Sequence, residues 1–75
     1  MSRLFPIDTR RMEQILQQLG FRLIRQKGSH AFYKHPDRRI TMIPLHYGED
    51  IGRGLLQKII TEDLHLSIEQ FNELR

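Results

Sequence analysis

The sequence predicts an α+β domain: a three-stranded antiparallel sheet with two helices on one face and a short C-terminal helix, in the order α-β-β-β-α plus that last helix. Three observations carry the prediction. Met12, Ile15, Leu16 and Leu19 recur at i, i+3, i+4 and i+7, one face of a helix. Between residues 21 and 43 the pattern changes to short runs broken by Lys27-Gly28 and by His35-Pro36-Asp37-Arg38, both turn signals. From Asp50 the helical period returns with Ile51, Leu55, Leu56, Ile59 and Ile60.

The first helix has its limits written in its flanks. Asp8 is placed to cap the first turn, with Ile7 one position before the cap and Met12 at the fourth helical position, the spacing of a hydrophobic staple. Gly20 stops the helix, because glycine enters the left-handed conformation without a Cβ penalty. Strands are expected over residues 21–26, 29–35 and 39–43. The middle one alternates, with Ser29, Ala31, Tyr33 and His35 on one face and His30, Phe32 and Lys34 on the other. Pro36 fixes φ at the second position of its turn. Pro44, which has no N–H for a ladder, closes the third strand. The stripe after Asp50 is wide enough to cover a sheet face. Gly52 and Gly54 each cost about 1 kcal/mol against alanine inside a helix, so near a helix start they point to a close backbone approach. Ser67-Ile68-Glu69-Gln70 has the form of a capping box, with Phe71 and Leu74 then turned inward. Helices on one face leave the other to solvent or to a partner.

A chain of 75 residues is expected to form a single domain, 1–75, with one thin core. It buries roughly 60% of the surface that it exposes when unfolded, which places any site on an open face or in a shallow groove. With 39% hydrophobic and 28% charged residues, the composition is that of a folded domain. Cysteine is absent, which excludes a disulfide framework and a thiolate zinc site and fits the reducing cytosol. The start, Met-Ser-Arg-Leu-Phe-Pro, lacks the apolar run of a signal peptide, and no stretch approaches membrane-spanning length, so a soluble cytoplasmic protein is expected. The net charge of +3 is unevenly spread. Residues 1–48 hold nine Lys and Arg against three acids, and residues 49–75 hold three against six. A basic region of this kind attracts polyanions, nucleic acid first among them, although it is equally the look of a solvated face.

Four histidines are the only side chains present that titrate near neutrality unperturbed. No Ser/His/Asp spacing, close carboxylate pair, P-loop or dinucleotide fingerprint accompanies them, and no pair at i, i+4 brackets an acid, so no metal is expected. His30 stands out through its setting, Arg25-Gln26-Lys27-Gly28-Ser29-His30: a turn with cations, a glycine and backbone N–H groups suited to a phosphate. RNA cleavage by the 2′-OH needs a base, an acid for the leaving oxygen, and donors for the phosphorane charge. One imidazole can supply roughly 10²- to 10⁴-fold of this, and Arg25, Lys27 and turn amides can stabilise the charge. A strand histidine beside a basic turn can equally be structural or simply exposed. His46 either packs against the same site or caps its loop. His35 is expected to be exposed in its turn, and His65 to take a left-handed conformation where the second helix ends. Phe32 and Tyr33 interleave with Lys34 and His35, a pattern that fits base stacking. Neighbours on a strand face opposite ways, so one ring is core, and the pattern does not say which. Besides a nuclease, an RNA-binding module without catalysis and a protein whose basic face meets an acidic partner fit these residues.

Gly20-Phe21, then Arg25-Gln26-Lys27-Gly28-Ser29-His30, Pro44-Leu45-His46, Gly54-Leu55-Leu56-Gln57-Lys58-Ile59-Ile60 and Leu66-Ser67 with Glu69 and Phe71 together resemble the HicA (YcfA-like) family over nearly the whole chain. The order of these elements is what is specific; any one alone is weak. The resemblance implies a double-stranded-RNA-binding-domain-like fold and an mRNA interferase, the toxin of a toxin–antitoxin pair, which cleaves mRNA, arrests growth and is neutralised by a HicB antitoxin. It implies that His30 is catalytic and that Gly28 and His46 fall on the family's turn glycine and Pro-x-His histidine. The residues themselves add Arg25 and Lys27 to hold the RNA backbone and Gly28 and Ser29 to position the phosphate, with His46 expected at the substrate. No metal or organic cofactor and no homo-oligomer are required by the resemblance. Leu55, where a small polar residue is frequent, and His65, where glycine often ends the helix, depart from the pattern in packing and capping positions.

Overall fold

The computed structural model describes residues 3–75. In chain order they form β1 (Ile7–Asp8), α1 (Thr9–Gln18), β2 (Arg22–Lys27), β3 (His30–Lys34), β4 (Ile40–Pro44), β5 (Asp50–Ile51), α2 (Arg53–Lys58), a π-helical turn (Ile59–Asp63) and α3 (Ile68–Leu74). Strands β2, β3 and β4 make the expected antiparallel meander, and β1 pairs with β5 in a separate two-stranded ribbon.

Helix α1 begins and ends as its sequence dictates. The Asp8 carboxylate accepts from the amides of Arg10 and Arg11 at 3.1 and 3.3 Å, satisfying donors that the helix itself leaves open. At the other end Gly20 has φ +99°, its amide donates to Gln17 O, and the Phe21 amide donates to Leu16 O. This is a Schellman ending, and it turns the chain directly into β2. A Cβ on Gly20 would also lie 3.0 Å from His35 Nε2. Ser67 and Gln70 form the reciprocal capping box of α3.

One face of the sheet is covered and the other is not. Ala31, Tyr33, Thr41 and Ile43 turn inward and are buried with Met12, Ile15 and Leu16 of α1, Leu56 of α2, and Ile59 and Ile60 of the π turn. Each large apolar side chain so enclosed contributes about 1.5–3 kcal/mol by leaving water. The two inward polar groups on the strands are bonded to the helical layer: Tyr33 Oη donates to Glu13 Oε2 at 2.5 Å, and Thr41 Oγ1 to Asp63 Oδ2 at 2.8 Å. Helix α3 adds Phe71 to the same core, and Arg75 donates to the carbonyls of Phe5 and Pro6.

Several expectations are corrected. The second helix starts at Arg53 rather than Asp50, because Asp50 and Ile51 are drawn into pairing with β1. Ile51 is therefore buried as a strand residue opposite Ile7. Leu55, expected in the core-facing stripe, is 43% exposed: at about 100° per residue it lies to one side of the face that buries Leu56, Ile59 and Ile60. Nothing lies within 4 Å of a Cβ built on Gly52 or Gly54, so neither glycine serves a close approach within the chain. The helix does not end as a plain α-helix: Leu64 N–H reaches back to Ile59 O, an i to i+5 bond, before His65 reverses the chain at φ +56°. His65 thus takes the left-handed conformation expected of it. The strands are shifted by one residue or so from their expected limits, with Phe21 buried ahead of β2 and Pro44 included in β4.

His35 is not exposed in its turn. Its ring is half-buried and lies edge-on to Phe21, with centroids 5.1 Å apart, while Nε2 sits 2.9 Å from Leu19 O. A carbonyl oxygen can only accept, so Nε2 is the donor in this contact. Nδ1 faces the Asp37 amide at 3.1 Å and Asp37 Oδ1 at 3.0 Å. His35 thus ties the β3–β4 turn to the end of α1.

Candidate functional site

The open face of the sheet is built in three cross-strand rows. Residues directly opposite in an antiparallel pair project from the same face. Lys27, His30 and Pro44 form the first row, Arg25, Phe32 and Met42 the second, and Arg22, Lys34 and Ile40 the third. Successive rows are two residues apart along β3, about 7 Å. The alternation therefore assigns the rings that the sequence left open: Tyr33 is core, at 1% exposure, and Phe32 lies half-buried on the open face. The Arg25 guanidinium carbon stands 6.0 Å from the centre of the Phe32 ring.

No acidic residue occurs in β2, β3 or β4, whereas Arg22, Arg25, Lys27 and Lys34 all project from the open face. Arg22 and Lys34 are not among the site residues expected from the sequence. For Lys34 a signal exists, since it shares the face of His30 and Phe32. For Arg22 there is none. Simple alternation back from Arg25 would place Leu23 on the open face and Arg22 on the other. A bulge at Ile24 shifts the register between Leu23 and Arg25 and reverses this, setting Leu23 opposite Tyr33 and Arg22 opposite Lys34.

His30 is exposed at the first residue of β3. It follows a two-residue loop, Gly28–Ser29, that closes Lys27 onto His30. Gly28 has φ +58° while Ser29 is not in the positive region, the pattern of a II′ turn with glycine first. A Cβ on Gly28 would meet nothing within 4 Å, so the space above the loop is open. Gln26 Nε2 braces the loop by donating to Gly28 O at 3.3 Å. Arg25, Lys27, Gly28, Ser29 and His30 are thus gathered at one end of the open face.

The segment that carries His46 is fastened to the same end. The Leu45 amide donates to Ser29 O at 2.6 Å, and Pro44 is the cross-strand partner of His30. His46 itself is exposed, and its carbonyl accepts from the Glu49 amide in a turn through Gly48 at φ +91°. A clasp unseen in the sequence holds this turn against α1. Tyr47 Oη donates to Glu13 Oε1 at 2.8 Å, and the Arg10 guanidinium lies over the Tyr47 ring at 4.7 Å. Glu13 therefore receives both phenols. Burial first, and the Glu13 carboxylate second, hold the Tyr33 hydroxyl far above the ordinary tyrosine range, while for Tyr47 the bond to Glu13 is the first cause of a rise. In the distant β3–β4 turn, the Arg39 amide and then its guanidinium hold Asp37 below the usual carboxylate range. Among the described residues, no three His, Asp or Glu side chains converge as they would around a metal ion.

Fold and face together define a class: a small α+β domain with one cationic sheet face and an exposed histidine at its edge. The model of the family described as HicA toxin of bacterial toxin-antitoxin matches residues 9–66, most of the chain, and the chain belongs to that family. Membership supports a toxin role that involves RNA, and it implies RNA and a cognate HicB antitoxin as partners. No curated protein matches the chain at a significant level. No helix among the described residues is long and apolar enough to cross a membrane.

Proposed function

We propose that the chain is an endoribonuclease, an mRNA interferase of the cytoplasm, in which His30 is the single catalytic histidine. The observation that carries this reading is the placement of His30: exposed, at the head of β3, in one row with Lys27 and beside the open Gly28–Ser29 loop. In the cleavage, the 2′-oxygen forms a bond to the adjacent phosphorus and the bond from phosphorus to the 5′-oxygen breaks. The 2′-hydroxyl loses a proton and the leaving oxygen gains one. The His30 imidazole serves as the base or the acid in that exchange. Lys27 and Arg25 offset the charge on the phosphorane, and the Gly28–Ser29 loop positions the phosphate. His46, fastened close by, contacts the substrate. The α-β-β-β-α order with a single helical layer supports a double-stranded-RNA-binding-domain-like fold, and fold by itself does not choose the substrate.

The cognate HicB-type antitoxin neutralises the enzyme by covering His30 and the cationic rows around it, and complementary charge speeds and orients that encounter. The direct test incubates end-labelled RNA with the protein and with a His30→Ala variant. His30 makes no contact that the core depends on, so the variant keeps its circular dichroism spectrum while cleavage falls by roughly 10²- to 10⁴-fold. Cleavage by the variant at the rate of the parent protein overturns the assignment. A mobility shift without fragments from the parent protein makes it an RNA-binding module instead.

A further inference from the structure

The end of the open face away from His30 has no part in the chemistry just described. There a shallow depression is lined by Arg22, Ile24, Lys34, His35, Pro36 and Arg38. Three of these are cations. Arg38 is held with φ +80°, a costly conformation for a residue other than glycine, by the turn in which its amide donates to His35 O. The carboxylate of that turn, Asp37, is engaged by Arg39, whose backbone amide and Nε donate to it at 3.0 and 2.8 Å. It does not neutralise Arg22, Lys34 or Arg38 through any bond or ion pair. The β-bulge at Ile24 is what puts Arg22 here at all.

We propose that Arg22, Lys34 and Arg38 form a second phosphate subsite for single-stranded RNA, with Phe32 as a base-stacking platform between that subsite and His30. The proposal rests on the reading that this face takes RNA. Lys34 lies four residues along β3 from His30, about 13 Å, with Phe32 midway. A stretched single strand laid along β3 sets one phosphate beside Lys27 and His30. It then turns a base onto Phe32 and presents a further phosphate to the three cations. An aromatic platform on a flat, cationic sheet suits unstacked bases, which have a free π-face. The bases of a duplex are stacked on one another and offer that ring nothing, because duplex RNA is read by its shape and its 2′-hydroxyls. The apolar neighbours Met42 and Ile40 border the base on its other side.

The test measures binding rather than cleavage, so it stands or fails apart from the catalytic reading. In His30→Ala protein, fluorescence anisotropy compares a short labelled oligoribonucleotide with the same strand annealed to its complement. The single strand binds more tightly. Adding Phe32→Leu weakens its binding by roughly 5- to 150-fold, the range of one base stack, while Phe32→Tyr retains it. Adding Arg22→Ala and Lys34→Ala weakens binding and flattens the dependence of log K on log salt, by about 0.7 for each phosphate that the protein no longer neutralises. Lys58→Ala, in the helical layer, changes neither quantity. Duplex binding as tight as the single strand, or an unchanged salt slope in the Arg22→Ala/Lys34→Ala protein, overturns the proposal. So does binding of poly-glutamate that needs Arg22 and Lys34 when RNA binding does not, since that assigns the depression to an acidic protein.

Discussion

Strand β3 shows two faces of the molecule side by side. Ala31 and Tyr33 point into the helical layer and are buried, while His30, Phe32 and Lys34 point the other way onto a surface that no element covers. On the covered side, among the described residues, no buried side-chain nitrogen or oxygen lacks a hydrogen-bond partner. On the open side the sheet gathers cations and holds no carboxylate. The difference teaches how so small a chain can keep both a core and a binding surface. Apolar burial and satisfied hydrogen bonds on one side hold the sheet. Repulsion among exposed cations on the other is screened by water and salt and costs little.

Substitutions on the two sides separate these contributions. The largest contrast sets Phe71→Ala against Phe32→Ala. Phe71 is fully enclosed, and its removal costs about 3–5 kcal/mol through transfer and cavity effects, a large part of the total stability of a small domain. Phe32→Ala costs about 1 kcal/mol, as an average point substitution does. Urea midpoints measure both, and a greater drop at Phe32 than at Phe71 would break the comparison.

A smaller effect is expected where the covered face is polar. Tyr33→Phe removes one of the two phenols that bond to Glu13 and costs about 1–2 kcal/mol near neutral pH. The same residue gives the fold an alkaline limit. Because folding raises the affinity of this phenol for its proton, its contribution is complete below the ordinary tyrosine pKa near 10 and is lost as pH rises through the folded-state value. Stability therefore declines on the alkaline side of about pH 10, and Tyr33→Phe makes that decline shallower. A decline of the same steepness in the variant assigns it to other groups. Smallest of the three is Asp8→Ala, which removes the α1 cap for about 1 kcal/mol. It lowers the thermal midpoint by a few degrees and leaves RNA affinity unchanged, because α1 lies on the far side of the sheet. Weakened RNA binding in this variant would show that the two faces are coupled.

Much of this was legible in the residues. Asp8, Gly20, Ser67 and Gln70 mark helix ends through local backbone chemistry, and all act as their types predict. The alternation in β3 put His30, Phe32 and Lys34 on one side. What escaped depends on contacts distant in sequence. Asp50 and Ile51 read as the start of a helix until Ile7 supplies a strand partner from the other end of the chain. His35 reads as a turn residue until the end of α1 offers it the Leu19 carbonyl and the Phe21 ring. The Glu13 clasp joins residues from α1, β3 and the loop after β4, and no local pattern announces such a meeting.

By itself the chain determined the three strands of the meander and the main helices, where most of them stop, and that a histidine follows a cationic glycine turn, because caps, turns and periodicity act between near neighbours. The tertiary structure alone decided which aromatic ring is core, that the bulge at Ile24 delivers Arg22 to the open face, and that the loop bearing His46 is held beside Ser29. Those outcomes are set by register and packing between segments far apart in sequence. A one-residue slip in pairing sends a side chain to the opposite face, and spacing along a single strand carries no record of that slip.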